Sequence, residues 1–203
     1  MRAVLRGEQE ADVPCDGCVG CCISSYPIPL RPSDAVALAR VPDQFLQWPA
    51  RVGELARMNF RDDGTCPMLE GERCTIYADR PRTCRDYDCR IYAATGLAPD
   101  GNRPVIQQRV REWRFDMADA EEQAQAAALS EAAQFIRANA ARFPASARAH
   151  SATAVAVLAV KTWPLFLHGC TPAASATADL VQRLLEEAQR FDSRDRQGDV
   201  ASA

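Results

Sequence analysis

Four cysteines stand within eight residues at Cys15-Asp-Gly-Cys18-Val-Gly-Cys21-Cys22, and Gly17 and Gly20 permit the left-handed turns that wrap a chain around an ion. Two thiols separated by two residues can reach one metal through a backbone turn, the spacing used by zinc knuckles and iron–sulfur proteins. Cys15, Cys18 and Cys21 also have the spacing of the first three ligands in a bacterial ferredoxin run, from which the adjacent Cys22 departs. A second constellation supplies four more thiols: Cys66-Pro67-Met-Leu69, Cys74-Thr-Ile76-Tyr77, and Arg80-Pro81-Arg-Thr-Cys84-Arg-Asp-Tyr87-Asp-Cys89.

Eight thiols divide naturally into two four-sulfur sites, each with sulfurs roughly 4 Å apart around a shared tetrahedral ion. The spacing suggests Cys15, Cys18, Cys21 and Cys66 for one, because Cys66-Pro67 resembles the remote Cys-Pro ligand of two-cluster ferredoxins, and Cys22, Cys74, Cys84 and Cys89 for the other. A single bridged multinuclear centre is the competing arrangement. Eight thiolates bring about −8 charge, so Arg73, Arg80, Arg82, Arg85 and Arg90 are candidate donors to sulfur. Glu70, Glu72, Asp79, Asp86 and Asp88 are as numerous in the same stretch, and surface ion pairs are the alternative use of those arginines. Softness does not choose between an iron–sulfur cluster, with the 4Fe–4S type favoured by the ferredoxin spacing, and zinc. Cys170 lies outside the pattern and is expected to be dispensable for metal, while a ligand role for His168 beside it is weaker than that of a satisfied histidine near a buried thiol.

The 203 residues carry 24 Lys+Arg against 27 Asp+Glu, a balance that gives no electrostatic case for nucleic acid or an anionic lipid surface. The first ten residues contain no apolar run suited to a secretory signal, and the stretch from Ala152 to Leu167 is broken by Lys161 and Pro164, so a cytoplasmic protein without a membrane span is expected. In a reducing compartment clustered cysteines hold metal or do redox chemistry more often than they form disulfides.

The elements that position the thiols follow from proline and periodicity. Residues 1–97 read as a loop-rich, metal-stabilised cysteine domain whose prolines keep its elements short, with one helix at 34–40 capped by Ser33 and striped by Val36 and Ala39. Residues 98–203 read as a small helical bundle, so the chain as a whole is mainly α. Its first helix face carries Ile106, Val110, Trp113 and Met117. Asp119 with Glu122 opens a second helix in the manner of a capping box, with Leu129, Ala133 and Ile136 inward. Ser151 caps a third, ended by Pro164, and Leu180, Leu184, Ala188 and Phe191 mark a fourth, with a disordered tail after about residue 192. Tyr77, Tyr87 and Tyr92 are expected in the core with a polar handle, alongside Trp113 and Trp163.

On Cys15-x2-Cys18-x2-Cys21-Cys22, Cys66-Pro67-x-Leu69, Cys74-x-Ile76-Tyr77 and Arg80-Pro81-x2-Cys84-Arg85-x-Tyr87-x-Cys89, about the first 90 residues resemble the CxxCxxCC, or YkgJ-type, family of zinc- or iron-chelating domains. The resemblance implies metal binding through all eight cysteines and leaves the metal open. Flagellin lysine N-methylases carry a related cluster, which implies a cluster-dependent protein lysine N-methyltransferase as a minor alternative; no Gly-rich loop between strand and helix supports a nucleotide or S-adenosylmethionine site. The leading reading is a cytosolic metalloprotein with an iron–sulfur or zinc centre and a redox or enzymatic role. Its rival is a structural-zinc module that presents the helical half to a partner protein.

Overall fold

A computed structural model describes residues 17–26, 28–50, 55–167 and 177–201. The chain is mainly α, with its short strands confined to the cysteine-rich half. It divides into two compact units. The cysteine unit takes the described residues up to Asp88 together with residues 103–106, and the helical unit takes Cys89–Asn102 and the residues from Gln107 onward.

In the cysteine unit the prolines hold each element to a few residues. Strands β1 (Ile28–Leu30), β2 (Leu46–Gln47) and β3 (Ala56–Met58) pair antiparallel in the order β1-β3-β2, and Met58 faces both Ile28 and Leu46. Leu30, Met58, Ile76, Ala37 and Val41 form the small core beneath them. Helix α1 (Ala35–Arg40) lies at the expected place but is turned differently: Ala37 is 1% exposed while Val36 is 56% exposed, and Ala39 also faces out. The cause is a 3₁₀ turn over Pro32–Asp34, which absorbs Ser33 and moves the cap position to Asp34. Strands β4 (Leu69–Glu70) and β5 (Arg73–Cys74) form a hairpin whose two-residue turn begins with Gly71 at φ +59°, a conformation glycine adopts without steric cost. The five-residue helix α2 (Arg82–Asp86) follows.

The helical unit holds α3 (Arg90–Thr95), the body of α4 (Pro104–Glu112), α5 (Ala120–Ala138), α6 (Ala152–Thr162) and α7 (Thr177–Ala201). Alanines at the contacts (Ala128, Ala132, Ala133, Ala156 and Ala159) let α5 and α6 approach closely, and Leu129, Ile136, Trp163, Phe166 and Leu184 fill the space around them. Local capping chemistry starts both helices: Asp119 Oδ1 accepts the Glu122 amide at 2.9 Å, and Ser151 Oγ accepts the Ala154 amide at 3.0 Å. The reciprocal Glu122 carboxylate bonds the Ala118 amide, at 2.6 Å, rather than that of Asp119. Past Thr162 the chain tightens into a 3₁₀ turn over Trp163–Phe166, with Pro164 in its first turn. Helix α4 ends at Glu112, so Ile106 and Val110 lie on it as expected while Trp113 and Met117 lie beyond its end. Helix α7 continues past Asp192 to Ala201. Tyr92 is fully buried with its hydroxyl 2.6 Å from Thr153 Oγ1, whereas Tyr77, expected in a core, is 53% exposed. No helix among the described residues is long and apolar enough to cross a membrane.

Candidate metal centre

The adjacent cysteines Cys21 and Cys22 lie in the 3₁₀ turn Gly20–Ile23. Successive side chains of such a turn point about 120° apart, so the two thiols separate: Cys21 is exposed and Cys22 turns inward against the core. Gly20 allows this turn to lie close to the start of α4, since a Cβ there would stand 3.2 Å from Ile106 Cγ1 and 3.3 Å from Val105 Cγ1. The Cys22 carbonyl accepts the Cys66 amide at 2.6 Å, and this long-range bond brings the two sequence constellations into register.

Cys66 is 4% exposed and its thiol is hydrogen-bonded to that of Cys22. Cys66 is brought down to about 7, first by the Cys22 thiol that donates to it, then by the Met68 amide and the Arg61 guanidinium, against the cost of burial. Cys22 is raised by the same hydrogen bond, by burial, and by the charges of Cys66, Cys74 and Cys21. Cys84, on α2, is pushed up to about 12 by burial and by the charges of Cys66, Cys74 and Asp34, with Arg80 acting the other way. Burial and Cys66 likewise raise Cys74, opposed by the Ile76 amide and by Arg80 and Arg40. Cys22, Cys66, Cys74 and Cys84 therefore share one electrostatic neighbourhood.

The division suggested by spacing joined Cys66 to Cys15, Cys18 and Cys21; among the described residues the neighbour that Cys66 bonds is Cys22. The Cys-Pro analogy does not anticipate this Cys22–Cys66 backbone bond. Cys18 is half-buried, with its sulfur near Gly20. Cys89 belongs to the helical unit, where Trp113 Nε1 donates to its sulfur at 3.2 Å and the Arg109 guanidinium stacks 4.6 Å from the Trp113 ring centre. Cys15, His168 and Cys170 lie outside the described residues. No disulfide joins any two of the seven described cysteines. Among the described residues no set of three or more His, Cys, Asp or Glu side chains already stands in position to hold an ion. The donor chemistry nevertheless fits a soft metal: Cys66 lies in the small core with Cys22, Cys74 and Cys84 packed against it, and the Met68 and Ile76 amides act to hold down the Cys66 and Cys74 thiols.

Three of the five arginines that the sequence offers as sulfur donors engage other groups, and Arg80 also opposes the rise of the Cys74 and Cys84 thiols. Arg82 Nε bonds Asp86 Oδ1 at 2.7 Å, Arg80 lies over the Tyr77 ring at 4.1 Å, and Arg90 lies 5.9 Å from the Trp113 ring centre. The groups that shape the site are ones sequence reasoning passed over. Asp34, 5% exposed, accepts the Arg31 amide through Oδ2 and the Arg82 amide through Oδ1, both at 2.7 Å. One buried carboxylate thus caps its own 3₁₀ turn and the first turn of the helix that carries Cys84. Its position two residues after Pro32 marked it only as an early helical acid.

Residues 14–100 match the family model CxxCxxCC, "Putative zinc- or iron-chelating domain". No curated protein and no solved structure matches the chain. The match supports zinc or iron chelation as the chemistry of the cysteine-rich half.

Proposed function

We propose that Cys22, Cys66, Cys74 and Cys84 hold a zinc or iron centre, and that Cys15, Cys18, Cys21 and Cys89 complete an eight-sulfur ligand set on the strength of their spacing in the sequence. The observation that carries the reading is the shared neighbourhood of four free thiols, drawn from a 3₁₀ turn, a tight loop, a hairpin and a short helix and packed in and against one small core. A bound ion supplies the positive charge that these thiols lack, and it offsets the cost of burying thiolates, together with the smaller repulsion among them, that raises Cys74 and Cys84.

The ferredoxin-like spacing of Cys15, Cys18 and Cys21 favours an iron–sulfur cluster of the 4Fe–4S type with a redox or enzymatic role, in the reducing compartment that free thiols suit. Structural zinc, with the helical unit as a platform for a partner protein, is distinguished from it by colour. Elemental analysis and visible absorption of anaerobically purified protein test both. Stoichiometric iron with broad visible absorption supports the cluster, colourless protein with stoichiometric zinc supports the structural site, and protein that holds neither metal refutes the proposal. Cys66→Ser and Cys74→Ser should each lower the metal content.

A further inference from the structure

Two arginines bear the same relation to two of the cysteines. Arg61 Nη2 donates to the Pro67 carbonyl at 2.7 Å, and Arg40 Nη2 donates to the Thr75 carbonyl at 3.0 Å. Each carbonyl belongs to the residue that follows a cysteine. The N–H on the far side of the same peptide unit is that of Met68 in one case and Ile76 in the other, and these amides are among the groups that act to hold down the Cys66 and Cys74 thiols. A trans peptide is planar, so its C=O and N–H point in opposite directions. A guanidinium that fixes the carbonyl therefore also fixes the direction of the amide beside the cysteine.

We infer that Arg61 and Arg40 are positioning residues for the metal centre, each locking one peptide plane so that its N–H is presented to a ligand sulfur. The inference rests on the metal-binding reading proposed above and adds residues that lie outside its cysteine pattern. Each guanidinium is itself anchored. Arg61 Nη1 also donates to the Leu69 carbonyl at 3.1 Å and to Thr65 Oγ1 at 3.3 Å, bracketing the Cys66 loop, and Arg40 Nη1 pairs with Asp79 Oδ2 at 2.9 Å. The Thr75 amide and hydroxyl both donate to the Met68 carbonyl, at 2.9 and 3.1 Å, which ties the two loops together. Cys22 and Cys84 are carried on helical turns instead, where the helix sets their direction. Hydrogen bonds to ligand sulfur lower its donor strength and tune the bound metal, and loss of such outer partners typically costs 10–100-fold in affinity.

The test uses the full chain loaded with Co(II) or Zn(II) and the variants Arg61→Met, Arg40→Met and Arg61→Lys, with Arg57→Met as a control for loss of an exposed charge in the same unit. Arg61→Met and Arg40→Met should bind the wild-type stoichiometry yet release Zn(II) to a competing chelator with about 10–100-fold weaker affinity. Their Co(II)–thiolate charge-transfer band should move to longer wavelength, because a sulfur without its N–H bond is the better electron donor. Arg61→Lys, which keeps one cationic donor, should recover part of both effects, and Arg57→Met should match wild type. The band position is a readout that mere destabilisation does not move. If Arg61→Met folds poorly, Arg40→Met carries the test, since its side chain is 46% exposed. Variants that bind and absorb like Arg57→Met, or that lose stability with an unmoved band, overturn the inference alone. A wild-type chain that takes up neither ion overturns the metal reading and this inference with it.

Discussion

Replacing Asp34 with Asn should uncouple Cys84 from the rest of the cysteine unit. The carboxylate is 5% exposed, and each oxygen accepts one main-chain amide at 2.7 Å, from Arg31 and from Arg82. A hydrogen bond to a charged group is worth about 1.5–3 kcal/mol, and a buried donor left without an acceptor costs about 1–3 kcal/mol. Asparagine keeps one oxygen and sets its NH2 group against the second amide. One charge-assisted bond is then lost and the other weakened, for a total of about 2–4 kcal/mol. That is a large share of the 5–15 kcal/mol by which a domain of this kind is ordinarily stable. The loss is local to the ends of the two turns that Asp34 caps, so it should be read residue by residue. Hydrogen exchange followed by NMR should find the Arg82 and Arg31 amides protected in the wild type and strongly deprotected in Asp34→Asn. Urea unfolding should give the predicted fall in stability, and the metal content should drop with it because α2 no longer presents Cys84. Asp86→Asn is the comparison: its partner Arg82 is a half-exposed neighbour on the same short helix, and such pairs contribute about 0.2–1 kcal/mol. Equal effects of the two substitutions, or an Arg82 amide that stays protected in Asp34→Asn, would refute the reasoning.

Gly20→Ala should destabilise the cysteine unit by about 1–3 kcal/mol in urea unfolding, because the new Cβ meets Ile106 and Val105 at 3.2 and 3.3 Å and forces both to shift. Leu184 has no exposed surface, so Leu184→Ala should cost about 2–5 kcal/mol in the thermal unfolding of the helical unit while metal uptake by the cysteine unit is unchanged. Metal-stripped protein should be most resistant to urea near pH 9. Cys66, held at about 7 against an ordinary 9.0, contributes stability above its unfolded value that is lost as pH falls towards 7. Cys84, raised to about 12, contributes stability below 9.0 that is lost as pH rises towards 12. A urea midpoint that does not vary with pH between 7 and 11 would contradict both assignments.

Local chemistry is legible in this chain wherever near neighbours decide it. The caps at Asp119 and Ser151 and the inward face Leu129, Ala133 and Ile136 follow from contacts within one or two helical turns, and the structure shows them. The mainly α class and a soft-metal chemistry for the cysteines are legible for the same reason, since periodicity and thiol spacing are local quantities. Where a side chain's role depends on a distant partner, the local signal misleads. Asp34 looks like an early helical acid and becomes the cap of a helix 48 residues away. Val36 fits a helical stripe, yet the preceding 3₁₀ turn rotates it into solvent. Trp113 continues a periodic face, but the helix ends before it and its indole serves Cys89. The surroundings of the thiols belong to this second class. Cys66 is grouped with Cys22 by one main-chain bond across 44 residues, the 3₁₀ turn parts Cys22 from Cys21, and Arg40 and Arg61 hold the peptide planes beside Cys74 and Cys66. Spacing along the chain limits which thiols can share an ion; which of them become neighbours depends on hydrogen bonds that exist only once the chain has folded back on itself.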